Sequence, residues 1–276
     1  MTFYPTPRGR RGNGLLFVAF LAAVIAAARS CDPNPPRSSG VSNIATRRVS
    51  TPVTNPIEDA LRPVRAVQQR DGVVAAILID TSGSMGDRVK DDDGRMRPKI
   101  EIAQRAALDL VKQFDTYAQE HPDQTIFFGI YEFSDRGGPF CREVVKLGPA
   151  GKSDAVAVRS AVLTMRPRGD TPIGDAIITA KRDIDATGLS KRHILVVTDG
   201  ENNKGYSPED VVRVITSQPD QDRASTYFVA FDIAAAKFNP VRDAGGLVLA
   251  ASNEPELKST LDYVLTGKIL AEQPGK

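Results

Sequence analysis

The residues Ala75-Ala76-Ile77-Leu78-Ile79 form an unbroken aliphatic run that ends at Asp80 and passes into Thr81-Ser82-Gly83-Ser84-Met85. Such a run is too short for a helix and carries no polar residue, so it predicts a strand buried on both faces, of the kind found in parallel sheets covered by helices. In open α/β sheets ligands sit outside the carboxyl ends of the strands. The residues delivered to that place are Asp80, Ser82 and Ser84. Residues two apart on a tight turn can direct their oxygens to one side, and a carboxylate with two hydroxyls suits a hard cation, which prefers oxygen ligands.

From Gly72 onward strand-like and helix-like patterns alternate, which predicts an α/β domain with a mostly parallel sheet covered on both faces. Ile100, Ala103, Ala107, Val111 and Phe114 recur at helical spacing and place a helix over Lys99 to Ala118. Thr125 to Phe133 reads as the next strand, apolar except for Glu132, and Cys141 to Leu147 as a short strand after a glycine-rich turn. Helices are expected over Ser153 to Met165, closed by Arg166-Pro167, and over Ile173 to Thr187, ended by Gly188. Strands at His193–Thr198, Thr226–Phe231 and Leu247–Ala250 then alternate with helices opened by Ser207-Pro208, Asn239 and Asn253, with a frayed tail after Gly267.

Two more segments follow Asp80-x-Ser82-x-Ser84 in order. Arg168-Gly169-Asp170-Thr171-Pro172-Ile173-Gly174 is a turn that presents Thr171, and His193-Ile194-Leu195-Val196-Val197-Thr198-Asp199-Gly200-Glu201-Asn202 is a strand that ends at Asp199. Together the three segments resemble the metal-ion-dependent adhesion site of the von Willebrand factor type A domain family, which includes the integrin inserted domains. The resemblance spans roughly residues 72 to 265. It implies a three-layer, doubly wound, mostly parallel sheet with one short antiparallel edge strand, at Cys141 to Leu147. It also implies a metal site made of Asp80, Ser82, Ser84, Thr171 and Asp199. In that arrangement Ser82 and Ser84 touch the cation directly, Thr171 is a further candidate for direct contact, and Asp80 and Asp199 act largely through waters. Mg²⁺ or Mn²⁺ is expected ahead of Ca²⁺, because a site with few direct carboxylates and several waters leaves a coordination position open. An Asp or Glu of a protein partner would fill that position, so the resemblance implies a non-enzymatic, divalent-cation-dependent binding module.

Charge is unevenly spread. The net charge is +2, yet residues 1 to 70 hold ten arginines and three acids, and the remainder holds 26 basic and 31 acidic residues. The folded part is therefore acidic, and the overall basic balance is no argument for nucleic-acid binding. Residues 1–30 read as a signal peptide or N-terminal membrane anchor: Arg8, Arg10 and Arg11 precede an apolar run of 15 residues, Gly14 to Ala28, short of the ~20 a spanning helix needs. Ala26-Ala27-Ala28 offers small residues for signal peptidase. Ala28-Arg29-Ser30-Cys31 resembles a bacterial lipobox that would lipidate Cys31, with departures at Ala28 and Arg29; an uncleaved leader is the third option. Residues 31–70 read as a flexible linker, since Asp32 to Pro56 carries five prolines and seven serines or threonines, although Ile57 to Gln69 could equally pack on the domain. Residues 71–266 form the domain and 267–276 a tail. The expected location is extracytoplasmic, in the cell envelope of a bacterium and membrane-anchored. Cys31 and Cys141 are the two cysteines, too few for a disulfide framework, and nothing in the sequence fixes their separation.

Several features carry blander readings. Asp87, Asp91, Asp92, Asp93 and Gly94 fail as a calcium loop, because an EF-hand with Gly94 in sixth place needs an acid at Val89 and Glu at Ile100. A solvated loop beside the metal site is expected instead. Arg168-Gly169-Asp170 coincides with the metal loop and is read as part of it. Glu201 reads as a surface acid close to the site, and His121 and His193 read as structural or exposed. The rival function is metal-dependent phosphoryl transfer with Asp80 as nucleophile. Haloacid-dehalogenase-like phosphatases carry a second aspartate two residues on, where Ser82 stands here. An assembly or chaperone role, as in metal chelatase subunits of similar fold, is the third reading; those subunits act in the cytosol, which the leader opposes.

Overall fold

The computed structural model describes residues 55–62, 67–134, 140–141, 145–146 and 152–271, with residues 140–157 described by their backbone alone. The leader, Cys31, most of the expected linker and the side chain of Cys141 lie outside the described residues. Among the described residues no helix is long and apolar enough to cross a membrane.

The sheet is built on β1 (Arg70–Asp80), which pairs in parallel with β4 (Ile126–Phe133) on one side and β7 (Leu189–Thr198) on the other. Beyond β7 come β8 (Ser225–Phe231) and β9 (Leu247–Ala251), also parallel, so the parallel core runs β4-β1-β7-β8-β9. The expected antiparallel edge is present as two short pieces, β5 (Phe140–Cys141) and β6 (Val145–Lys146), both paired with β4. The chain leaves β1 in one direction to form β4 and returns past it to form β7. Strand order thus reverses beside β1, which is where a crevice opens at the carboxyl ends of such a sheet.

Burial explains the aliphatic run. Val73, Ala75, Ile77 and Ile79 pack on one face with α2 (Lys99–Glu120) and α7 (Glu254–Val264). Val74, Ala76 and Leu78 pack on the other with α4 (Ile173–Ala186) and α5 (Pro208–Ser217). Successive strand residues point to opposite faces, so a strand covered on both sides must be apolar at every position. On the first face Phe114 of α2 lies against Phe128 of β4, ring centroids 4.5 Å apart. α3 (Lys152–Leu163) joins that layer through Gln104, whose side chain donates to the carbonyls of Val162 and Met165. Helix starts follow the capping residues: Ser207 and Asn253 accept from the backbone N–H groups of Asp210 and Glu256, with Pro208 in the first turn. A short α6 (Asn239–Asp243) connects β8 to β9.

Four boundaries differ from the sequence reading. Within the stretch assigned to the linker, α1 (Pro56–Leu61) is capped by Asn55 and buries Ile57 and Leu61 against the α4 and α5 side of the core. Two such side chains each contribute roughly 1.5–3 kcal/mol when buried, enough to hold a single helical turn and a half in place. β7 begins at Leu189, four residues earlier than its apolar run, because Arg192 is buried against Asp185 of α4 and donates to the Gln221 carbonyl. The acidic segment after the loop that follows β1 is a hairpin, β2 (Arg88–Lys90) and β3 (Met96–Pro98), not a solvated loop. Asp91 is buried at its turn, accepting from the N–H groups of Asp93 and Arg95 and pairing with Arg97. The start of the expected tail lies in a wide helical turn, Leu265–Ile269, whose end residues are both buried, while residues 272–276 lie outside the described residues.

One glycine fixes how the later loops sit on the domain. A Cβ on Gly174, in the first turn of α4, would lie 2.1 Å from the carbonyl oxygen of Tyr206. The backbone of the loop after β7 therefore rests directly on α4. Gly174→Ala is expected to lift that loop and to cost about 1–3 kcal/mol, the usual penalty of overpacking, which urea unfolding would measure. An unchanged midpoint would show that the loop is not held there.

Candidate functional site

Asp80 is completely buried at the end of β1. Its Oδ1 accepts the Ser82 N–H at 2.7 Å, which turns the chain sharply, and its Oδ2 accepts the Thr198 hydroxyl of β7 at 2.6 Å. One carboxylate thus shapes the first loop and ties it to the neighbouring strand. A single turn of 3₁₀ helix, Gly83–Gly86, follows, anchored by the fully buried Met85. That turn brings the Ser82 and Ser84 hydroxyls to 3.2 Å from each other.

The second loop is laid against the first by backbone bonds, Arg168 N–H to the Thr81 carbonyl at 2.7 Å and Gly83 N–H to the Gly169 carbonyl at 3.0 Å. Gly169 makes the turn with φ of 72°, in the left-handed region that glycine enters without strain. The tripeptide Arg168-Gly169-Asp170 is therefore part of this zipper, and the Arg168 side chain faces Glu132 at 3.9 Å.

The third loop supplies Asp199, whose Oδ1 accepts from Ser84 Oγ at 2.7 Å. Gly200 stands behind the cluster: a Cβ there would lie 3.4 Å from Thr171 Oγ1 and 3.8 Å from Ser84 Oγ. All five expected residues, Asp80, Ser82, Ser84, Thr171 and Asp199, accordingly meet at one place. Asp80, Ser82, Thr171 and Asp199 are buried and Ser84 is exposed.

Several contributors escape a reading of the sequence. Asn202 and Asn203 act as clamps: Asn203 Oδ1 accepts the Thr171 N–H and Asn202 Oδ1 the Ile173 N–H, both at 2.7 Å. Thr198 closes over Asp80 as described. Lys99, the first residue of α2, places Nζ 3.0 Å from Asp199 Oδ2 and 3.0 Å from Asp232 Oδ2. Asp232 follows the end of β8 as Asp199 follows the end of β7, and that parallel was the available signal. Lys99 had none, since its partners are a hundred residues and more away. Glu201 turns outward to Lys237 at 2.9 Å and is a surface acid. His121 stacks on Tyr117 at the end of α2, and His193 is buried with Nδ1 3.2 Å from the Tyr227 hydroxyl. Burial and the charge of Lys191 push the His193 imidazole down to about 4, so it is neutral at pH 7.

Two charged groups at the site are shifted from their ordinary values. Burial pushes the Asp80 carboxyl up to about 6, although its bonds to Thr198 and Ser82 work the other way, and the Asp199 charge adds to the rise. For Lys99, burial alone would lower the ammonium; its bonds to Asp232 and Asp199 outweigh that and hold it above the ordinary lysine value. Among the described residues no cluster of three or more His, Cys, Asp or Glu has the arrangement of a metal site. The donors at this site are two carboxylates and three hydroxyls, a set that can hold a hard divalent cation only with water completing its shell.

Taken together, the fold and the loop cluster define an α/β domain with an oxygen-lined site at the carboxyl edge of a parallel sheet. Residues 75–201 match the von Willebrand factor type A domain family. No curated protein matches the chain. Solved structures with the same fold include a von Willebrand factor type A protein from Catenulispora acidiphila, at TM-score 0.55 and 20% identity over 74% of this chain and 44% of that one. The PilB minor pilin from Streptococcus sanguinis aligns at TM-score 0.54 and 12% identity, over 76% and 65%. Proximal thread matrix protein 1 from the mussel byssus, with its metal-ion-dependent adhesion motif occupied by zinc, aligns at 0.50 and 17%, over 72% and 46%. At these identities the likeness establishes the fold, and this chain spans less than two thirds of each of those proteins.

The raised Asp80 pKa has a defined sign. A folded-state pKa of about 6 against 3.8 means that the folded protein binds this proton more tightly, so stability falls as pH rises from about 4 to 6 and the loss is complete above that. At 1.36 kcal/mol per unit the loss is about 3 kcal/mol. In the presence of chelator, Asp80→Asn is therefore expected to raise stability at pH 7.5 by up to that amount and to remove this pH dependence, as read by urea unfolding at pH 4.5 and 7.5. A variant less stable than wild type at pH 7.5 would contradict the assignment.

Proposed function

We propose that Asp80, Ser82, Ser84, Thr171 and Asp199 hold a divalent cation, Mg²⁺ or Mn²⁺ ahead of Ca²⁺, and that the domain binds a protein partner through it. A partner's Asp or Glu carboxylate would complete the coordination shell. The observation that carries this reading is the convergence of five oxygen-bearing side chains from three loops, with four of the residues buried and Ser84 facing solvent. Such a site fixes an ion from below and leaves its outer side open to another molecule. The zinc found at the corresponding motif of the mussel protein makes zinc an ion to include in any comparison. The N-terminal leader and proline-rich stretch support a domain tethered in the bacterial cell envelope, anchored through Cys31 or through an uncleaved leader.

Phosphoryl transfer is the weaker reading for a structural reason. Asp80 is fully buried at the end of β1, with no exposed surface from which its carboxylate could reach the phosphorus of a bound substrate. Ser82 stands where the second aspartate of that chemistry would be. The domain serves binding, and an assembly role remains within that class.

Calorimetric titration of the purified protein with Mn²⁺ or Mg²⁺ is expected to show one ion per domain, with uptake abolished in Asp80→Ala. Because the ion and a proton compete for Asp80, apparent affinity should fall as pH drops below about 6. In parallel, an envelope protein should be retained on the immobilised domain with Mg²⁺ and released by chelator, and Thr171→Ala should lose it. Unchanged uptake in Asp80→Ala, or retention indifferent to chelator, would overturn the proposal.

A further inference from the structure

Lys99 is an unusual companion for a cation site. Its side chain is 8% exposed, its Nζ lies 3.0 Å from both Asp199 Oδ2 and Asp232 Oδ2, and the Asp199 side chain is completely buried. The lysine is also fixed at its backbone, where its N–H donates to the Asp87 carbonyl at 2.8 Å, just after the first metal loop. Asp232 is positioned with φ of 55°, the one non-glycine residue among those described with left-handed backbone. Aspartate tolerates that conformation better than most residues, yet it still carries a cost that the surrounding contacts must offset. The charge bridge is thus held by geometry from both sides.

Its consequence follows from the two oxygens of Asp199. Oδ1 accepts from Ser84 and Oδ2 from Lys99. Turning Oδ2 toward a cation would strip a buried ammonium of its better-buried partner and leave it with Asp232, whose side chain is 40% exposed. The ammonium also offsets one negative charge in a group that otherwise sums to three, Asp80, Asp199 and Asp232.

We propose that Lys99 is a positioning residue that holds Asp199 back from bidentate or direct coordination, thereby weakening metal affinity and reserving a coordination position for an outside carboxylate. This rests on the metal reading above. Asp232 moderates the effect by sharing the lysine, so removing either member of the pair shifts affinity in opposite directions.

The test is a Mn²⁺ titration of the full chain followed by calorimetry and by water-proton relaxation enhancement, which reports the waters left on the bound ion. Lys99→Met removes the charge and keeps much of the side-chain volume; it is expected to bind Mn²⁺ about tenfold more tightly, the effect of one unit charge a few ångströms away in a hydrated site, with fewer waters on the ion. Lys99→Arg should stay near wild type in both readouts. Asp232→Asn, at a half-exposed residue, should bind Mn²⁺ severalfold more weakly with the wild-type number of waters. Weaker or unchanged affinity in Lys99→Met would overturn the proposal, and should that variant not fold, unchanged or tighter binding in Asp232→Asn would do so. If the wild-type protein takes up no Mn²⁺, the metal reading itself fails; if it does and the variants do not diverge, the failure belongs to Lys99 alone.

Discussion

The burial of the Asp80 carboxylate between the Ser82 N–H and the Thr198 hydroxyl is the interaction on which the site depends. A lone carboxylate enclosed at the end of a central strand is costly, and hydrogen bonds reduce that cost without removing it. The same bonds bend the first loop and join it to the strand that delivers Asp199. The arrangement is thus both the hinge of the loop geometry and a local store of negative charge, and a cation is the natural means of relieving it.

The sheet makes this possible. Because β1 sits between β4 and β7, three loops from strands and helices far apart in sequence reach the same crevice. The layers on either face share the alternate residues of β1, so the aliphatic run that opens the chain's fold also guarantees that its end is rigid. Asn202 and Asn203 then hold the second loop by its backbone N–H groups, which fixes Thr171 without using its hydroxyl.

Much of this was legible in the sequence, for identifiable reasons. The five oxygen-bearing residues follow strand ends and turns, where residue type is dictated by local geometry, and the structure brings all five together. The core strands were legible because burial on both faces leaves an unambiguous apolar signal. What stayed hidden depended on contacts between distant residues. Arg192 and Lys191 masked the start of β7, since a charged residue in a strand is tolerated only with a partner such as Asp185 that spacing does not reveal. The hairpin at 88–98 was hidden because Asp91 looks like a solvated acid until it is seen capping its own turn and pairing with Arg97. Ile57 and Leu61 are too few to mark a helix by periodicity, and only their docking on α4 and α5 stabilises one. In sequence Lys99 is simply the first residue of a helix, and its charge bridge to Asp199 and Asp232 exists only in three dimensions.

The proposed cation sits among Ser82, Ser84 and Thr171 with one side open. Anomalous diffraction from crystals grown with Mn²⁺ tests that most directly. The predicted result is a single strong peak about 2.1 Å from the Ser82 and Ser84 hydroxyl oxygens, with water or a neighbouring carboxylate on its outer side. No peak at that position, or an ion enclosed on all sides by this chain, would contradict it.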